Sequence, residues 1–253
     1  MHARACVLFR LPSGVATAVS IRFYDTGSIH RVAVDAPENG FSIVLIPATS
    51  QIHLDYASNA PGYEEMFLKP IAGWVTGVHL DDLGVVHPIV YNGVTGEMAR
   101  DKALVMHVTL RPEKVATIGI VNTAKQAAAT RWCSPKPDSK QCAAKSMAWN
   151  VTSPNTCAKK ISISGCRWSP TTRDRMINVG LQKIDEQSGE VSFYGPVFKN
   201  VRYRFAAPVQ DYVEAFQHAI PRLDKPVVFS CNCVLNYLYS ELAGKQTAHI
   251  TGQ

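Results

Sequence analysis

From Gly40 to Pro47 the chain is apolar at nearly every position, and an uninterrupted run bounded by Gly and Pro reads as a strand covered on both faces. Pro47-Ala48-Thr49-Ser50 follows, with Ser50 placed to cap a helix reaching about Ser58 and stopped by Asn59-Ala60-Pro61-Gly62. A strand that turns at once into a helix predicts a parallel α/β connection, whose open end commonly takes a ligand. Around it, alternation predicts a strand at Val19–Tyr24, and His30–Asp35 reads as a strand or a short helix. Glu64–Leu68 is expected to be a second short helix. Further strands are expected at Ile71–His79, Val85–Tyr91, Ala103–Leu110 and Val115–Val121, with Asn92-Gly93 as a hairpin signal. Gly73 and Gly77 mark places where a neighbouring backbone comes close.

The pattern breaks at Asn122. Until about Asp174 no period is sustained, and Ser, Thr, Lys, Pro and Cys replace the aliphatic residues. After Met176 alternation returns over Ile177–Lys183, Val191–Phe198 and Val201–Phe205. Pro208–Ile220 then has helical spacing, Pro226–Ser230 reads as a buried strand, and Cys233–Leu242 as a helix. The expected architecture is α/β: a mixed β-sheet core with flanking helices, in two sub-domains, 1–121 and 176–253. Between them, 122–175 is expected to be irregular and mobile. Out-of-frame translation of that segment would also account for its abrupt borders.

Charge sharpens this division. The chain carries +6 overall, but from Val121 to Arg175 ten Lys/Arg face only Asp138 and Asp174. The basicity is therefore local, and reads as surface decoration rather than as a nucleic-acid site. No apolar run reaches the roughly 18 residues of a membrane span, and no export signal is evident, so a cytoplasmic protein is expected.

Candidate chemistry is sparse. Cys133, Cys142, Cys157 and Cys166 lie too far apart in sequence for the close ligand pairs of a structural zinc site, and disulfides need an oxidising compartment. Phe229-Ser230-Cys231-Asn232-Cys233 is more suggestive, since a strand running into a helix there would set a hydroxyl and two thiols at a helix N-terminus. The plainer alternative is two small packed residues. His53, His79, His87 and His107 could each partner a thiol, and no spacing selects one. His79-Leu80-Asp81-Asp82 with His87 reads as a solvated turn before it reads as a metal site. No metal and no cofactor are expected. Glu97, in Thr95-Gly96-Glu97, either faces a pocket or is an ordinary loop carboxylate.

Ala36-Pro37-Glu38-Asn39-Gly40-Phe41, Gly73–Gly84, Tyr91-Asn92-Gly93-Val94-Thr95-Gly96-Glu97 and Phe229–Tyr239 together resemble a bacterial domain family of unknown function. More distantly they are similar to FIST sensory domains. The resemblance covers residues 19–121 and 176–248. It implies a sensing or ligand-binding domain without a reaction of its own, the ligand being a small molecule such as an amino acid. Thr49, Ser50, Glu97, Ser230, Cys231, Asn232 and Cys233 are the candidate ligand contacts. It also implies a further Gly-Glu element after Thr251-Gly252-Gln253, so that 176–253 reads as shortened. Two alternatives stand beside this reading: a thiol-dependent enzyme using Cys231 or Cys233, and a nonspecific nucleic-acid binder acting through the basic segment.

Overall fold

The structure, a computed structural model, describes residues 11, 13–82, 84–123, 125–133, 138–142, 162–169, 172–184, 190–197, 202–207, 209, 211–220 and 229–233. The chain divides into two compact units, residues 1–119 with 226–231 and 251–253, and residues 120–225 with 232–250. The fold is α/β with a mixed sheet and a few short helices, as the pattern of the chain led us to expect.

The first unit is built on a four-stranded sheet of β1 (Ala16–Tyr24), β2 (Gly40–Pro47), β3 (Ile71–Thr76) and β6 (Ala103–Leu110) in the order β1-β6-β2-β3. β2 pairs antiparallel with β6 and parallel with β3, to which it is joined through helix α1 (Gln51–Asn59). Side chains alternate across a strand, so the register sorts the sheet into two faces. Tyr24, Ser42, Val44, Ile46, Ala103, Val105 and His107 share one face. Ile29 and Val32, in and just after a single 3-10 turn (Ile29–Arg31), join that core with Ile52 of α1, all fully buried. Each such side chain contributes about 1.5–3 kcal/mol on leaving water, so the layer is held by its apolar wedge rather than by its exposed ion pairs. On the other face the hairpin β4 (Val90–Tyr91) and β5 (Met98–Ala99) places Val90 and Ala99 on Leu104, with Ile21, Phe23 and Leu45 against them. Farther along, Trp74 of β3 stacks on Phe229 at 5.9 Å between ring centroids.

The second unit contains a six-stranded antiparallel sheet in the order β7-β12-β9-β10-β11-β8. Its strands are β7 (Gln126–Cys133), β8 (Asp138–Cys142), β9 (Ser162–Ser169), β10 (Thr172–Ile184), β11 (Glu190–Val197) and β12 (Arg202–Ala206). Helix α2 (Tyr212–Ala219) follows, capped by Asp211, whose carboxylate accepts the Glu214 N–H at 3.0 Å.

Several elements differ from the reading of the sequence. Glu64–Leu68 is a run of turns, not a helix, with Glu65 at φ +57°, a conformation no helix contains. Val115–Val121 forms no strand: Val115, Ile118 and Ile120 are exposed, with no neighbouring strand to pair with among the described residues. The segment 122–175, expected to be irregular, contributes β7, β8, β9 and the start of β10. Most of Pro226–Ser230 and of Cys233–Leu242 lies outside the described residues.

Candidate functional site

The turn from β2 into α1 brings Thr49 and Ser50 to the carboxyl end of the parallel pair. The Ala48 N–H donates to the Thr76 carbonyl at 2.9 Å, closing the turn onto the end of β3. Thr49 lies at φ +61°, a left-handed conformation that a β-branched residue adopts only under constraint. The constraint is visible: its hydroxyl donates to the Ala48 carbonyl at 2.6 Å and its N–H to His53 Nδ1 at 3.3 Å. The Ser50 hydroxyl donates to the Pro47 carbonyl at 2.6 Å and accepts the His53 N–H at 3.3 Å, so it caps α1 as its place in the sequence foretold. Because Nδ1 of His53 is an acceptor here, its remaining proton sits on Nε2. Burial pushes the His53 pKa down, keeping the ring neutral. The turn thus sets the exposed Gln51 at the start of α1, two hydroxyl oxygens and a neutral imidazole close together in the chain, a set suited to holding a polar or anionic group. It contains no activated nucleophile, because the Thr49 hydroxyl is committed to a carbonyl and not to a base. Ser50→Ala is expected to cost about 0.5–2 kcal/mol through the lost cap, measured by urea denaturation.

The other candidate residues lie elsewhere. Glu97 is in the loop between β4 and β5, exposed and 3.6 Å from Lys102. Ser230 and Cys231 belong to the first unit, in the segment whose Phe229 stacks on Trp74; Asn232 and Cys233 belong to the second. Both cysteines are exposed, which overturns the reading of them as small packed residues. His79 Nδ1 is 3.3 Å from Asp81, on an exposed turn. Among the described residues no group of His, Cys, Asp or Glu is arranged to hold a metal, and no helix is long and apolar enough to cross a membrane.

A buried polar chain escaped the reading of the sequence. Tyr24 donates its hydroxyl proton to Asp35 at 3.1 Å, and its oxygen lies 2.9 Å from His107 Nε2. With that proton committed, Tyr24 accepts from Nε2–H, which leaves Nδ1 to accept from Ser42 at 2.8 Å. The chain therefore has a direction, Ser42 to His107 to Tyr24 to Asp35, and ends on a carboxylate that Arg31 holds at 3.0 Å. Burial, then the Arg22 charge, push the His107 pKa down against the opposing pull of Asp35; burial and Asp35 raise that of Tyr24 to about 12. Ser42 is only 1% exposed and His107 5%, so no substrate reaches them and the chain is structural. His107 is thereby removed as a partner for a thiol. The available signal was a polar residue inside each of two apolar runs, Ser42 in β2 and His107 in β6.

The chain belongs to a family of unknown function, DUF6976, whose model matches residues 3–253 and so runs through the segment 122–175, where we expected the resemblance to lapse. No curated protein and no solved structure matches it.

Proposed function

We propose that the first unit is a small-molecule binding domain of FIST-like, sensory type, without a reaction of its own. Its ligand is a polar metabolite carrying a carboxylate, of which an amino acid is the simplest case. The observation that supports this reading is Thr49, held at φ +61° where β2 turns into α1. Such strain costs on the order of 1–3 kcal/mol, and strained residues of this kind cluster at ligand clamps and active sites. The helix N-terminus favours the carboxylate, and the neutral His53 donates without adding charge.

A thermal-shift screen against amino acids and other small carboxylates is expected to yield at least one ligand that raises the melting temperature. Thr49→Gly accepts the left-handed backbone without strain, so the ligand-free protein is expected to melt at the same temperature or higher. The ligand-induced rise should shrink, because the hydroxyl is gone. A full rise in Thr49→Gly would move the site away from this turn.

The exposed thiols keep a second reading in play, a thiol-dependent enzyme using Cys231 or Cys233. Alkylation by iodoacetamide at neutral pH decides it. A rate well above that of a model thiol marks an activated nucleophile, and an ordinary rate ends that reading.

A further inference from the structure

β1 ends the strand order of the first unit's sheet, so one side of it has no neighbouring strand among the described residues. Which backbone groups face that side follows from hydrogen bonds elsewhere in the sheet. The Leu110 N–H donates to the Asn39 carbonyl at 2.9 Å, which makes the opposed Gly40 and Thr109 a pair that exchanges no bonds of its own. Alternation along β6 then turns the backbone of Val108, Met106 and Leu104 toward β2, and that of His107, Val105 and Ala103 toward β1. The Ser42 N–H donates away from β6, to the Pro70 carbonyl at 2.9 Å, in agreement with that phase. On β1, Ser20, Arg22 and Tyr24 oppose His107, Val105 and Ala103, so these three bond inward. Val19, Ile21 and Phe23 therefore aim their N–H and carbonyl groups out of the edge of the sheet.

Edges of this kind are usually blunted by proline, by lysine or by a bulge. Between residues 18 and 24 there is no proline, no lysine and no break in register; the irregularity of β1 falls earlier, between Ala16 and Ala18. The charge in this stretch, Arg22, is turned along its own strand. Its Nε donates to the Ser20 hydroxyl at 3.1 Å, and its guanidinium lies 4.0 Å from Asp35. The outward residues are apolar and share one face. Ile21 and Phe23 pack against the cluster of Val90, Ala99 and Leu104, while Val19 remains 53% exposed.

We infer that this edge pairs antiparallel with β1 of a second copy of the chain, joining two four-stranded sheets across a two-fold axis at Ile21. An unpaired row of donors and acceptors calls for an extended backbone, and β1 fits itself. The regular stretch 18–24 is centred on Ile21, so an axis there uses all of it. Outward groups then meet outward groups: Ile21 lies opposite its own counterpart, and Val19 opposite Phe23 of the second copy, which covers the exposed valine with an aromatic ring. On the other face Arg22 falls opposite Ser20 of the second copy, the kind of acceptor it already holds. Sliding the axis to Arg22 would instead oppose two like charges directly.

Sedimentation equilibrium of the full chain over a dilution series should show monomer and dimer in exchange. Val19→Lys sets a charge against Phe23 in both symmetric pairs and should weaken the dimer roughly tenfold. Val19→Pro removes an N–H that bonds to nothing in β6, so the chain should fold and the dimer be lost. Ile21→Cys places two thiols opposite one another at about 5.5 Å between Cα atoms, within reach of a disulfide. On oxidation it should give a reducible dimer above the wild-type level, for which the exposed Cys231 and Cys233 set the background. Val19→Cys, roughly 14 Å from its counterpart at this register, should not. The inference is overturned if the wild type is monomeric throughout the series, if the Val19 variants, folded by circular dichroism, dimerise as the wild type does, or if the two cysteine variants crosslink equally. The first of these results would leave the edge to a strand of a different protein.

Discussion

Replacing Gly73 by alanine is expected to destabilise the first unit by about 3–5 kcal/mol, a large part of the 5–15 kcal/mol that typically separates folded from unfolded domains. Gly73 pairs with Val44 where β3 runs parallel to β2. A Cβ built there would overlap the Val44 carbonyl oxygen and lie 2.7 Å from its carbonyl carbon and 2.8 Å from its nitrogen. These are backbone atoms of an inner strand, so no side chain can swing aside to make room. The backbone at Gly73 also has φ +157°, at the edge of the region L-residues avoid. Gly77, just past the end of β3, is the matched control: a Cβ there meets nothing within 4 Å. Urea denaturation of the two variants should give a large loss for Gly73→Ala and a change of roughly 1 kcal/mol or less for Gly77→Ala. Comparable losses in both would mean that β2 and β3 are not this close.

Those two glycines show which parts of the fold could be read in the chain. Both were marked as points of close approach, and only Gly73 is one, because the distance between strands is a property of the pairing and not of the residue. Where the determinant is local, the reading holds: the apolar run of β2, the Ser50 cap and the parallel turn into α1 are all set by residues within a few positions of one another. Asn92-Gly93 shows the limit. The buried Asn92 side chain accepts the N–H groups of Val94 and Thr95 at 3.0 and 3.4 Å, so it organises a longer loop between two short strands instead of a two-residue hairpin. Val115–Val121 has strand-like composition but no strand to pair with among the described residues. In 122–175 the opposite holds, for β7, β8 and β9 form where the sequence sustains no period, and their pairing with β12, β11 and β10 is what makes them strands.

The candidate site divides in the same way. Thr49 and Ser50 were legible because a strand-to-helix turn announces itself in consecutive residues. Ser42 and His107 stand 65 positions apart, and Tyr24 and His107 83 apart, so their meeting depends on the antiparallel register of β6 with both neighbours. Each of the three looked like an isolated polar residue until the sheet set them side by side.

That buried chain carries the second large expectation. His107→Leu should cost about 2–4 kcal/mol: the Ser42 donor is left unsatisfied inside the core at about 1–3 kcal/mol, Tyr24 loses the donor to its oxygen, and leucine does not reproduce the ring's shape. Ser42→Ala strands His107 Nδ1 instead. The double variant His107→Leu with Ser42→Ala removes both partners, so it should lose less than the sum of the single losses. Acid provides a separate check. The folded protein holds the His107 pKa below its ordinary value of about 6.5, so at a pH between the two values the unfolded chain binds the proton and the folded one does not. Stability from this group is therefore complete above the unfolded pKa and declines as pH falls through that value toward the depressed folded one. Denaturation midpoints measured from neutral pH downward should drop more steeply for the wild type than for His107→Leu. The variant keeps some slope because His53, also lowered by burial, still titrates. Parallel curves for the two proteins would mean that His107 is already protonated in the fold, and the direction assigned to the chain from Ser42 to Asp35 would then be wrong.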